Sequence, residues 1–87
     1  MPRLTLFQRD DCHLCDMALE VMAMASTPDF DSLWVDDDQM LEDCYGTRVP
    51  VLRDEESGRE LDWPFDVAAL RDFLIDLPGF LDADQRR

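Results

Sequence analysis

The chain has 87 residues, 21 of them acidic and 8 basic, for a formal charge of −13, and 46% are hydrophobic. That length suits one domain, because two halves would each be too small to bury an adequate core without metals or disulfides. Two Trp, five Phe and one Tyr are too much apolar surface for a disordered chain. So acidic a chain also repels phosphate backbones and anionic lipid, which excludes nucleic acid and membrane surfaces as partners.

Met1-Pro2-Arg3 leads into Leu4-Thr5-Leu6-Phe7, a short run with β-branched and aromatic members that predicts a buried strand. It is too short for the apolar core of about 7–15 residues that a secretion signal needs. The most apolar stretch, Met17 to Ala25, is interrupted by Glu20 and falls well short of the roughly 20 residues of a membrane span. The expected location is the cytoplasm, where thiols stay reduced; three cysteines then serve chemistry rather than a structural framework. From Cys12 to about Ala25 the residues Leu14, Ala18, Val21, Met22 and Ala25 recur at helical spacing, with Asp11 as the expected N-cap. Ser26-Thr27-Pro28-Asp29 ends that helix, and Ser32-Leu33-Trp34-Val35 predicts a second strand.

The aspartates at 36–38 favour the N-terminal end of a short helix over Gln39 to Tyr45, stopped by Gly46. Val49-Pro50-Val51-Leu52 predicts a third strand, joined by the turn-rich 54–58 segment to an antiparallel fourth, Arg59-Glu60-Leu61. Asp66 is placed to cap a final helix in which Val67, Leu70, Phe73, Leu74 and Leu77 keep the 3.6 period until Pro78-Gly79. The order β-α-β-α-β-β-α describes an α/β fold with a four-stranded mixed sheet and flanking helices, a thioredoxin-like architecture. It occupies residues 1–78, with 79–87 expected as a loose tail.

Cys12-His13-Leu14-Cys15 sets two thiols on one side of the first helical turn, close enough for a small disulfide ring. Cys12 faces unsatisfied backbone N–H groups and the positive end of the helix dipole, which stabilise a thiolate and make it the expected nucleophile, with Cys15 resolving. Asp10, Asp11 and Asp16 oppose that stabilisation while Arg9 and His13 assist it, leaving a modestly acidified Cys12. The same pair also suits zinc, completed by His13 or Cys44, although a second C-x-x-C or H-x-x-x-H is missing. Inert buried thiols are the remaining alternative. Core packing is the expected role of Cys44, thiol tuning that of His13, and core and rim packing that of Met17, Met22 and Met24. Trp63 and Phe65, on either side of Pro64, either pack into the core or form a docking patch, with the core favoured.

Four features together carry a family resemblance: Arg9-Asp10-Asp11-Cys12-His13-Leu14-Cys15 after the opening strand, a second strand ending in Val35-Asp36, Tyr45-Gly46-Thr47-Arg48-Val49-Pro50-Val51, and Gly58-Arg59-Glu60-Leu61 ahead of the last helix. Over Leu4 to about Leu74 the chain resembles the small glutaredoxin-like proteins of the thioredoxin superfamily, found mostly in bacteria. The resemblance implies that Cys12 and Cys15 form the dithiol/disulfide pair and that Val49-Pro50 is a cis-proline junction beside it. It also implies that the Val49 backbone pairs with a bound peptide or glutathione beside Pro50. Arg9, His13, Arg48, Trp63 and Asp66 are the further residues expected in the substrate-binding region.

Two departures bear on glutathione. His13-Leu14 stand where glutathione-using members carry Pro and an aromatic, and Trp63 and Phe65 stand near the usual Gly-Gly pair. Arg9 and Arg48 are the evident basic residues available to an anionic tripeptide. The expectation is therefore thiol-disulfide exchange by a monomer on a protein or low-molecular-weight disulfide. No cofactor is tightly bound, glutathione is the candidate co-substrate, and any protein partner presents a basic face. The alternative is a redox-silent or metal-carrying thioredoxin-fold binding module that recognises a protein partner through the acidic surface and the 63–66 loop.

Overall fold

The computed structural model describes residues 3–77; Pro78 and the expected tail from 79 lie outside the described residues. Its elements are β1 (Leu4–Gln8), α1 (His13–Met24), β2 (Phe30–Trp34), a single 3-10 turn (Val35–Asp37), α2 (Gln39–Tyr45), β3 (Val51–Asp54), β4 (Glu60–Asp62) and α3 (Val67–Ile75). The sheet order is β2-β1-β3-β4. β1 runs parallel to β2 and antiparallel to β3, and β3 forms a hairpin with β4.

All five residues of β1 are buried, because the strand is paired on both edges and covered on both faces. Alternation along it divides the core. Leu4 and Leu6 meet Ala18 and Met22 of α1, Leu52 of β3 and Leu70 and Leu74 of α3, whereas Phe7 packs on the other side with Val35, Tyr45 and Val51. Two helices therefore cover one face and α2 the other. The rings of Phe7 and Tyr45 stack with centroids 4.1 Å apart.

The buried stripe of α1 is Cys15, Ala18 and Met22, continued by Ala25. The expected Leu14 is exposed and Val21 half-buried, so the helix is rotated to turn Cys15 inward. Met22 is core, while Met17 and Met24 are exposed. Asp11 is not the N-cap: it has φ +53°, whereas a cap requires extended backbone. Cys12, at φ −110° and ψ 101°, takes that position.

The strand limits shift by one or two residues. Val35 leaves β2 to accept from the Asp38 N–H in the 3-10 turn. β3 begins at Val51 because Pro50 has no N–H to donate and the Val49 N–H bonds back to the Tyr45 carbonyl at 3.0 Å. Asp38 caps α2, accepting from Met40 and Leu41, and Asp66 caps α3 as expected, accepting from Ala69 at 2.8 Å. Asp54 is fully buried and closes the β3–β4 turn by accepting from the Ser57 amide and hydroxyl.

A charged cluster ties α2 to the hairpin. The Tyr45 hydroxyl donates to Glu60 at 2.6 Å, and Arg48 reaches both Glu60 and Asp62 at 2.7 Å. Arg53 bonds Tyr45 and Glu60 from β3. Burial pushes the Glu60 carboxyl up, but hydrogen bonds from Arg48 and Tyr45 outweigh it and hold the group below the usual range. Burial, then the Glu60 contact, raises the Tyr45 phenol. On the far side of the site, the hydrogen bond from Arg9 similarly lowers Glu42.

Both glutamates ionise more readily folded than unfolded. Their contribution is present above the ordinary glutamate value of about 4.3 and is lost as pH falls through the depressed folded values. Urea denaturation repeated between about pH 6 and pH 3 should show stability falling on acidification, with a shallower acid limb in Glu60→Gln. Trp63 packs against the core and meets Phe65 edge-on at 5.0 Å, so Trp63→Ala should cost about 2–3 kcal/mol in the same assay. A loss below about 0.5 kcal/mol would mark the ring as a surface group.

Candidate active site

Cys12 and Cys15 lie at the junction of β1 and α1. Their sulfurs are bonded, with Cα atoms 5.2 Å apart, inside the range a disulfide spans. Cys12 is half-buried and Cys15 is 1% exposed, so the first is the sulfur an incoming group can reach. The Cys15 N–H donates to Cys12 Sγ at 3.1 Å. Sulfur here occupies the place of the usual capping oxygen, and an amide that stabilises the sulfur also stabilises its thiolate.

The β1–β3 register sets Phe7 opposite Val51, which brings Val49-Pro50 level with Gln8-Arg9, just ahead of Cys12. Pro50 is buried and the Val49–Pro50 bond is cis, as is Trp63–Pro64. The Trp63 N–H donates to the Pro50 carbonyl at 3.2 Å, drawing the loop before α3 to the same end of the sheet. Because the Val49 N–H already serves Tyr45, Val49 offers an incoming strand its carbonyl and not its amide.

Arg9 and Arg48 are engaged within the chain. Arg9 Nη2 donates to Glu42 Oε2 at 2.6 Å and to the Gly46 carbonyl at 2.9 Å, and Nη1 lies 3.4 Å from Asp36. This links the cysteine loop to the loop before Pro50. It also explains Gly46: a Cβ there would overlap the carboxylate and carbonyl of Glu42. Asp66 acts through its helix cap and Trp63 through core contacts. His13 opens α1 and is exposed.

Cys44, expected in the core, is exposed with a free thiol; the inward side of its short helix carries Tyr45 and Leu41 instead. Among the described residues no three His, Cys, Asp or Glu side chains gather as a metal site requires, and no helix is long and apolar enough to cross a membrane.

Two features of the site were not read from the sequence. One is the Arg9–Glu42–Gly46 link. The other is a cavity of about 500 Å³ beside the cysteine pair, walled by Asp10, Asp11, Cys12, Cys15 and Asp16 and, across from them, by Phe30, Ser32 and Trp34. Both join segments distant in sequence, and no local pattern signals such a pairing.

Residues 3–75 match the family model for the Glutaredoxin-like domain (DUF836). The X-ray structure of target protein XcR50 from X. campestris is 60% identical, over 86% of this chain and 99% of that one, with a TM-score of 0.82. The solution structure of the same target is 59% identical, over 90% and 97%, with a TM-score of 0.81. Protein Ne2328 from Nitrosomonas europaea, at 24% identity over 84% and 92% with a TM-score of 0.64, is alike in fold. No curated protein sequence matches the chain. With a family model spanning both cysteines and all four strands, the chain belongs to the glutaredoxin-like domain family.

Proposed function

We propose that the protein is a dithiol thiol-disulfide oxidoreductase of the cytoplasm, with Cys12 as nucleophile and Cys15 as resolving residue. The observation that carries this reading is the Cys12–Cys15 pair at the start of α1, accessible sulfur outermost, with the Cys15 amide on Cys12 Sγ. In the reduced protein the Cys12 thiolate attacks one sulfur of a substrate disulfide, and the other substrate sulfur leaves as a thiolate. Cys15 then attacks Cys12 Sγ, closes the internal disulfide and releases the second substrate thiolate. Two electrons pass to the substrate, and the two cysteine protons balance the two thiolates formed.

The substrate is a protein or low-molecular-weight disulfide, and the protein works as a monomer. Glutathione is the weaker candidate as co-substrate. Its carboxylates must compete with Glu42 and Asp36 for Arg9 and with Glu60 and Asp62 for Arg48, and Trp63 and Phe65 fill the loop before α3 with bulk. The Val49 carbonyl beside Pro50 is the backbone acceptor left to a substrate strand.

Alkylation and mass spectrometry across glutathione buffers of about −300 to −150 mV should show Cys12 and Cys15 oxidising together in one two-electron step while Cys44 stays free. Cys12→Ser and Cys15→Ser should each abolish that step. A pair that stays reduced throughout, or that resists alkylation until a chelator is added, would replace this reading with a redox-silent or metal-carrying binding module. In the reduced protein, thiolate absorbance should titrate with a midpoint for Cys12 below the roughly 8.5 of a free cysteine; a midpoint at or above it would remove the activation by the helix N-terminus.

A further inference from the structure

We propose that the cavity between the start of α1 and strand β2 is the specificity pocket of this exchange, and that it receives a lysine or arginine side chain flanking the disulfide of a protein substrate. The inference rests on the oxidoreductase reading above and names the substrate class for that same site. The cavity, about 500 Å³, has Cys12 and Cys15 in its wall, so a group seated there lies beside the reacting pair. Its volume lies in the range of ordinary ligand pockets.

The charge of the wall decides what fits. Asp10, Asp11 and Asp16 line it, and none of the three forms an ion pair among the described residues. Arg9 is the one cation in the lining, and its guanidinium is held by Glu42, the Gly46 carbonyl and Asp36. Gln8, 6% exposed, also lines the wall. Its Nε2 donates to Ser32 Oγ at 2.8 Å, while its Oε1 accepts no hydrogen bond among the described residues and is not sealed from solvent. Acceptors without donors thus face a space beside a reactive bond.

The opposite wall suits the rest of such a side chain. Trp34 and Phe30 of β2 give apolar surface for the methylene stem, and the Trp34 indole, 39% exposed, presents a face to a cation. An anionic substrate meets three carboxylates at the same place and is repelled. A cation next to the substrate disulfide would also offset the negative field in which the Cys12 thiolate must form. The chemistry is that described above, with no further reactant: two electrons from the protein dithiol reduce one substrate disulfide.

The test uses the reduced full-length protein in excess over two peptides, each with one cysteine in a mixed disulfide with neutral 2-thiopyridine. The peptides are identical except for Lys or Glu beside the cysteine. Release of 2-thiopyridone is followed by absorbance, and each rate is divided by that with dithiothreitol. The Lys peptide should react about tenfold faster. That preference should fall to within about twofold in the triple variant Asp10→Asn, Asp11→Asn, Asp16→Asn, and persist in Asp29→Asn, Glu56→Gln, Asp72→Asn, which loses the same charge from exposed positions outside the cavity.

Equal rates in the unmodified protein, or an equal loss of preference in both triple variants, would overturn the pocket in favour of the general field. If neither peptide reacts, the oxidoreductase reading itself fails. The pocket is then judged by binding of peptides with Ser in place of Cys: a shift of the Trp34 indole N–H resonance with the Lys peptide and not the Glu peptide supports it, and no shift with either overturns it.

Discussion

Strand β1 is hydrogen-bonded on both edges and covered on both faces, and the remaining elements are arranged by that constraint. Five successive buried residues need partners above and below, so α1 and α3 close one side and α2 with the 3-10 turn closes the other. The strand ends at Gln8, and four residues later the chain enters α1 with Cys12 at its cap. The paired sulfurs are therefore carried at the end of the most thoroughly buried strand among the described residues. Antiparallel pairing with β3 sets Val49-Pro50 alongside at the same level.

Electrostatics around this frame are unequal on the two sides of the site. Toward β3 and β4 the arginines are matched: Arg48 and Arg53 share Glu60, Asp62 and Glu55, with Arg48 also 5.1 Å above the Tyr45 ring. The half-exposed pairs add little individually, but as a network anchored on a buried tyrosine they hold the loop before Pro50 against the hairpin. Toward β2 the balance is negative, because Arg9 is drawn away to Glu42 and Gly46 while Asp10, Asp11 and Asp16 remain. The helix N-terminus that stabilises a thiolate and the carboxylates that oppose it thus act on the same sulfur.

Much of the fold was legible. Period-3.6 patterning marked α1 and α3, Asp66 announced its helix, and the parallel pair and the hairpin followed from the element order, whereas the antiparallel β1–β3 pairing that joins them did not. The errors were local and have local causes. Asp11 reads as a cap by residue type, yet the turn into the helix puts it at positive φ, and a cysteine takes over the capping role. Cys44 reads as a small core residue, but a seven-residue helix has one buried side, which Tyr45 and Leu41 occupy. Leu14 and Cys15 are both apolar enough to face inward, and a rotation of one position chose Cys15.

At the site, the chemistry available can be read along the chain: two thiols one helical turn apart, a proline-bearing strand, three carboxylates close by and few cations. Those are properties of residue type and short spacing, which need no third dimension. Which of these groups stay unpaired depends on how the folded chain brings its segments together. Arg9 and Arg48 are engaged by carboxylates at least a dozen residues away, the Val49 amide is taken by Tyr45, and β2 supplies the far wall of the cavity beside the sulfurs. Such pairings follow from how layers stack, because the charge or hydrogen-bond partner that satisfies a group is chosen by proximity in space, and distant segments become neighbours only once the core has formed.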